Sequence, residues 1–350
     1  MLIVCGPGEG RGHVDNGHPE HPTRIAAAME GIEDLHLGSD VTMVPPVPAT
    51  QTELLRVHDL GYLEELAAFC RSGGGELDQD TYATSQSWTV AITAAGAGLT
   101  AIEALRKRGE GVAFVPTRPP GHHALPDRAM GFCLVNNIAV SAAALVAVGE
   151  RVLIVDWDVH HGNGTQAIFW DDPRVLYVSL HQAPLFPGTG RPAEIGGRAG
   201  LDRTVNIPLP AKATGDVVRH GFESVAVPVI EEFKPTWVLV SAGFDAHRSD
   251  PLADLALSSG DFADLAQLVS ACAPRSGRLV LFLEGGYDLS ALRMSVATTV
   301  GALLGCTYRP EASTSGGPGL ELVERTRVER IESLRRSMID ARNQASDSWL

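Results

Sequence analysis

Short apolar runs recur along the chain between longer stretches whose apolar residues return every three or four positions. The runs are Leu2–Cys5, Val41–Val44, Val112–Val115, Val152–Val155, Val175–Val178, Val205–Ile207, Val238–Val240 and Leu279–Leu283. The run ending at Val155 is rich in β-branched residues without polar alternation, which predicts a strand buried on both faces, as in a parallel sheet. The segments Trp88–Arg106, Asn137–Val148, Asp216–Glu232 and Gly260–Ala273 carry helical spacing. Alternation of the two predicts a single-domain, three-layer α/β/α fold with a mainly parallel sheet of about eight strands.

Long loops rich in Gly, Pro and His follow several of these strands, the clearest spanning residues 6–24, 116–133, 156–166, 181–203 and 243–258. Structureless loops longer than ~12 residues are usually functional. Because each follows an apolar strand, they should gather at the C-terminal edge of the sheet, where open α/β folds bind ligands. Pro310–Gly319 breaks the pattern with Pro, Ser, Thr and Gly. We read it as a linker between a domain over 1–309 and a helical tail over 320–350. Leu320, Val323, Val328, Ile331, Leu334 and Met338 lie at roughly helical spacing in that tail. A helix docked on the domain is expected; a partner-binding or oligomer helix is the alternative.

With 350 residues, 44% of them hydrophobic, the chain can bury a large core. The net charge of −14 and pI near 5.3 oppose nucleic acid and anionic lipid and suit a cationic substrate. Five cysteines, an odd number without Cys-x-x-Cys spacing, match a reduced, cytoplasmic setting. Met1–Cys5 is too short for a signal sequence, and no apolar run approaches the ~20 residues of a membrane span. No membrane association is expected, and a homo-oligomer is possible.

Candidate chemistry concentrates at strand ends. Asp156, Asp158 and His160 recur at every second position after the run ending at Val155, which in extended chain points them to one side. Asp158 and His160 offer one oxygen and one nitrogen, and Asp245, after the strand ending at Val240, is the best third ligand for a zinc site with an open position. A lone Asp capping a helix or a lone loop His is the plain reading of each residue. Their concentration at strand ends beside paired histidines argues against it. His122-His123 sits on stiff backbone after Pro119, Pro120 and Gly121, as a positioned general base requires. Asp156 and Asn163 are placed to bond the second imidazole nitrogens and fix their tautomers. Gly285 and Gly286 allow a sharp turn that brings the Tyr287 hydroxyl over the site as an oxyanion donor.

These motifs resemble the zinc-dependent histone deacetylase and acetylpolyamine amidohydrolase superfamily. The resemblance runs from about His18 to Leu304. It rests on His18–Ile25, Arg118–Ala124, Gly131-Phe132-Cys133, Asp156–Gly164, Ser179-Leu180-His181, Gly243–Ala246, Asp250-Pro251-Leu252 and Glu284–Tyr287. It implies the arginase/deacetylase-like fold, zinc on Asp158, His160 and Asp245, and His123 as base and acid beside His122. It also implies Asp156 as the partner of His122, Tyr287 as the carbonyl-polarising hydroxyl, and Asn163 as the class II-like choice where class I members carry Asp. Gly131, Phe132, Phe186, Leu252 and Gly285 match the acyl-lysine tunnel. A structural potassium ion would use Ser179 and carbonyls of Asp156, Asp158, His160 and Leu180. Arg24 matches an arginine of the internal channel behind the metal.

The implied activity is hydrolysis of acetyl or other short acyl groups from lysine side chains of proteins or peptides. One alternative is an acetylpolyamine amidohydrolase. Against it, Leu252 stands where eukaryotic polyamine-preferring members carry an acidic gatekeeper, and the Cys70–Trp88 stretch lacks the long insertion of bacterial polyamine enzymes. A non-catalytic acyl-lysine-binding protein is the alternative of another class, disfavoured because every catalytic position is filled. A two-manganese ureohydrolase wants an aspartate at the position of Gly243.

Overall fold

A computed structural model of the protein describes residues 1–6, 12–14 and 17–347, with side chains to residue 340. Parts of the expected loop 6–24 (7–11 and 15–16) and tail residues 348–350 lie outside it. The strands are β1 (Leu2–Cys5), β2 (Val41–Val44), β3 (Gly74–Glu76), β4 (Tyr82–Thr84), β5 (Val112–Val115), β6 (Val152–Asp156), β7 (Val175–Gln182), β8 (Thr204–Leu209), β9 (Trp237–Ala242) and β10 (Leu279–Leu283). Eight form one sheet in the order β2-β1-β5-β10-β9-β6-β7-β8, and every described pairing in it is parallel. All eight apolar runs became its strands. The small antiparallel pair β3–β4 was not foreseen; its strands have three residues each, too few for any period to register.

Side chains of each strand alternate between two cores. Leu153 and Val155 join one, Val152 and Ile154 the other. Helices α1 (Thr23–Glu33), α2 (Gln51–Leu54), α3 (Leu60–Arg71), α4 (Ser87–Arg108), α5 (Asn137–Ala147) and α6 (Asn163–Phe169) come first in the chain. Then follow α7 (Gly215–Gly221), α8 (Val227–Phe233), α9 (Ser259–Ala271), α10 (Leu289–Leu304) and α11 (Leu320–Asp347). Helices α2 to α6 cover one face, and α1 with α7 to α10 the other. The single helix expected over Asp216–Glu232 is split by a π-turn at Phe222–Ala226. Pro228 supplies no N–H to continue a regular ladder there.

Among the described residues, α4 alone has the length and apolar composition to cross a membrane, which corrects the expectation that no segment approaches that limit. It is a core helix: Ala91, Ala94, Ala95, Ala97 and Ala101 are buried on it. Helix α11 lies against β8 and α7, with Val323, Thr326, Arg330 and Ser333 buried. The preceding segment is tied down as well. Thr314 N–H and Oγ1 reach Asp261 Oδ2 at 3.1 and 2.7 Å, and Gly317 N–H reaches Thr214 Oγ1 at 2.8 Å.

Candidate active site

The sheet ends β6 at Asp156, so the extended chain expected through His160 is not there. Asp158 N–H bonds Asp156 Oδ1 at 3.2 Å, and His160 N–H bonds Asp158 Oδ1 at 2.9 Å. Two successive side-chain-to-backbone turns curl the segment instead. Asp156 therefore turns away from Asp158 and His160 toward His122, while Asp245, from the loop after β9, joins them. The ligand atoms of Asp158, His160 and Asp245 all lie within 4.8 Å of one another.

The chemistry of this trio fits a divalent ion. Asp245 Oδ1 accepts Val159 N–H at 2.9 Å, but its Oδ2 is buried without a donor. His160 Nδ1 stands 3.2 Å from that oxygen and 3.2 Å from Asp158 Oδ1. Asp158 Oδ2 accepts Gly285 N–H at 2.7 Å. Burial works to lower the His160 pKa, yet the bonds to Asp158 and Asp245 outweigh it and raise it to about 10. Burial, then the Asp158 charge, pushes Asp245 up to about 7. Two buried carboxylates competing for one proton are costly, and a cation held by two oxygens and a nitrogen removes that cost. A second trio, His122, Cys133 and Glu284, is equally close. There Glu284 is already occupied by Gly121 N–H, His122 N–H and Ser241 Oγ at 2.7, 3.2 and 3.0 Å.

The two neighbouring histidines are tuned in opposite directions. His122 Nδ1 faces Asp156 Oδ2 at 3.0 Å. Burial would lower the His122 pKa, but Asp156, then Asp158, raise it to about 10. His123 lies well below the ordinary histidine value, through burial first and then the positive charge of His122 and His160. Its Nδ1 bonds Asn163 Oδ1 at 2.8 Å. With Nδ1–H donated to that carbonyl, Nε2 keeps a free lone pair.

The turn carrying Tyr287 is held from below. Arg24, fully buried, donates to Gly286 O at 2.7 Å and to Glu284 O, and its guanidinium lies 4.9 Å from the Tyr287 ring centre. Glu20 pairs with Arg24 at 3.0 Å and with Arg118 at 2.5 Å, all three buried. Asp250 Oδ2 accepts Tyr287 N–H at 2.6 Å. Burial raises the Tyr287 pKa well above 10, so the phenol stays a donor. Glu20, Arg118, Asp250 and Glu284 belong to motifs noticed in the sequence, but nothing in their spacing announces these partners.

A cavity of about 200 Å³ opens over the trio. Gly131, Phe132, Phe186, Leu252, Gly285 and Tyr287 line it with His122, His123 and His160. Phe132 packs edge-on to Tyr287 at 5.8 Å, and Phe186 edge-on to His123 at 5.1 Å. Gly131 has φ +55, and a Cβ there would lie 2.5 Å from His123 Cδ2. At Gly285 a Cβ would lie 2.0 Å from Asp245 Oδ2. Asp80, beside the hairpin β3–β4, also lines the cavity and was missed. An isolated Asp in a polar stretch offers no periodic or motif signal. Ser179 pairs with Asp156 across β6 and β7, its hydroxyl 2.9 Å from His181 Nδ1, and Leu180 follows it. Ser179 and Leu180 lie within β7, beside the end of β6 that Asp156 forms and that Asp158 and His160 follow.

Comparison with known proteins gives a consistent result. The sequence profile of the histone deacetylase domain matches residues 18–303. A probable deacetylase of Archaeoglobus fulgidus is 36% identical over 342 residues, covering 95% of this chain and 94% of its own. Histone deacetylase 10, chloroplastic, of Oryza sativa subsp. japonica is 40% identical over 315 residues, covering 84% and 71%. A histone deacetylase-like amidohydrolase of Pseudomonas aeruginosa is 39% identical over 277 residues, covering 78% and 73%. The crystal structure of the HDA15 HD domain is similar with a TM-score of 0.86 and 32% identity, covering 99% of this chain and 98% of that one.

Proposed function

We propose, from the premise that the chain belongs to the histone deacetylase family, that it is a zinc-dependent amidohydrolase of linear amides. Its substrates are acetyl-lysine or other short acyl-lysine side chains of proteins or peptides. Asp158, His160 and Asp245 would hold the ion. Bound there, zinc supplies Lewis acidity and makes a water more acidic.

The remaining work falls to the side chains. His123 takes a proton from the attacking water at Nε2, because Nδ1–H is committed to Asn163. The same nitrogen then returns the proton to the leaving amine. His122, charged against Asp156, keeps His123 neutral beforehand. Tyr287 donates its hydroxyl to the developing oxyanion. Phe132 and Phe186 wall the apolar stem of the lysine. Ser179, with carbonyls of Asp156, Asp158, His160 and Leu180, would seat a structural potassium ion.

The observation that carries this reading is His123, oriented by Asn163, in one cavity with Tyr287 and His160 of the Asp158–His160–Asp245 trio. A panel of acetyl-lysine peptides, longer acyl-lysines and acetylpolyamines on one zinc-loaded preparation tests it. Hydrolysis of acyl-lysine, lost on chelation and restored by zinc, is expected. A preparation that hydrolyses no amide on the panel overturns the reading. Asp80 favours a second reading, because its carboxylate at the cavity wall supplies a cation partner that Leu252 does not. On that reading, acetylpolyamines are the preferred substrates on the same panel.

A further inference from the structure

The chain past residue 303, outside the matched family domain, folds back onto the active-site loop after β9. Arg309 and Ser313 both bond Asp264, at 2.7 and 2.5 Å, and place Glu311 between them. Glu311 Oε2 accepts His247 Nε2–H at 2.9 Å and Ser259 N–H at 2.8 Å, and its Oε1 accepts from Arg248. His247 is 1% exposed. Its Nδ1 accepts Ser249 N–H at 3.2 Å, so the ring proton lies on Nε2 and Glu311 is the acceptor that holds this tautomer.

The path from His247 leads into the site. Its carbonyl accepts Asp250 N–H at 2.9 Å. Asp250 then bonds Tyr287 N–H at 2.6 Å through Oδ2 and Leu252 N–H at 3.0 Å through Oδ1. One carboxylate thus ties together the turn bearing the phenol and the residue at the cavity wall. The rest of the loop has its own anchors, Arg248 N–H to Leu257 O at 2.8 Å and Asp254 N–H to Gln182 Oε1 at 2.8 Å. Without Glu311 the loop keeps these anchors, and what it loses is the acceptor that fixes the His247 ring.

We propose that Glu311 is a positioning residue of the hydrolytic site, supplied from outside the family domain, that acts through His247 and Asp250 on the backbone of Tyr287 and Leu252. The proposal rests on the role assigned to Tyr287 above. The half-exposed Arg248–Glu311 pair is incidental, since such pairs contribute little.

Variants of the full zinc-loaded chain test it. Glu311→Ala should lower kcat on an acetyl-lysine peptide about tenfold or more, the usual effect of losing an outer support, with KM little changed. Glu311→Gln keeps one oxygen able to accept from both His247 and Ser259, so it should recover most of the rate. Arg248→Ala should match the wild type. Hydrogen exchange should speed up at the Tyr287 and Leu252 amides of Glu311→Ala while β6 and β9 stay protected. If Glu311→Ala does not fold, Glu311→Asp, whose shorter arm cannot serve both donors, carries the same expectations. Wild-type kcat in the Ala or Asp variant, equal loss in Gln and Ala, or unchanged exchange at residues 252 and 287 would overturn the proposal. If the wild type hydrolyses no acylamide, the functional reading fails, and the exchange measurement still decides whether Glu311 governs the Tyr287 turn.

Discussion

The floor of the cavity and its mouth lie in the same set of loops but are held in different ways. At the floor, most buried carboxylate oxygens and rings are claimed by named partners, Asp245 Oδ2 being the exception. Asp156 Oδ2 meets both His122 and Tyr177, at 3.0 and 3.1 Å, and Asp158 is held through Gly285. At the mouth, Phe186 is 40% exposed, and Leu252 and Asp80 are half-buried. A floor held by this many buried bonds fixes the geometry of its side chains. A mouth built of partly exposed side chains can change its substrate without disturbing that geometry. This division makes the effects of substitution predictable in size.

The largest effect belongs to the floor. Asp245→Asn preserves an oxygen for Val159 N–H but removes the charge that a cation needs. Activity should be abolished and metal content should fall below stoichiometric, while the circular dichroism spectrum stays native. Full zinc occupancy in this variant would sink the ligand assignment. Next comes Tyr287→Phe. Loss of one oxyanion donor typically lowers the rate by ~10²–10³, and kcat should drop more than KM rises. A near wild-type kcat would mean that another group stabilises the oxyanion.

Substitutions at the mouth should be milder and should change a ratio rather than a rate. Leu252→Glu offers a carboxylate to a distant ammonium and withdraws an apolar contact from a peptide. The acetylpolyamine-to-peptide ratio of kcat/KM should rise roughly tenfold, since a charge pair near 4 Å is worth about 1 kcal/mol in water and more in a drier cavity. Asp80→Asn should lower that ratio. If neither substitution moves it, substrate choice is made elsewhere.

The smallest expected change returns to the floor by way of pH. His123 is held below its ordinary pKa, so its neutral, basic form prevails at neutral pH and is lost only on acidification. Asn163→Asp adds a negative partner, which favours the protonated ring and raises its pKa. The acid limb of kcat/KM should therefore move to higher pH, with the alkaline plateau kept. A limb that stays in place would exclude His123 as the titrating base.

How much of this was readable in the sequence follows the same division. Most of the eight sheet strands were legible because they are short apolar runs buried on both faces; β2, with Met43 60% exposed, is the edge-strand exception. Asp158, His160 and Asp245 were legible because they sit just past such runs. The curl after Asp156 was not, since it arises from side-chain-to-backbone bonds that leave no periodic trace. Asp80 and Glu311 act from segments remote in sequence. Their partners lie as far off as His247, 64 positions before Glu311. Only tertiary structure reveals such pairings.

The position of β10 has a consequence for biosynthesis. It lies between β5 and β9, yet about 160 residues separate it from β5 along the chain. Until it leaves the ribosome, the nascent sheet exists as two halves with open inner edges. One half, ending in β5, bears His122 and His123; the other, running from β9 to β8, bears Asp158, His160 and Asp245. Both halves are complete only once β9 is made, 37 residues before β10 begins, so at 5–20 residues per second that interval lasts about two to seven seconds. During it the proposed base and the proposed metal ligands belong to separate fragments with open strand edges. Translation through residues 279–283 therefore turns two aggregation-prone pieces into one catalyst.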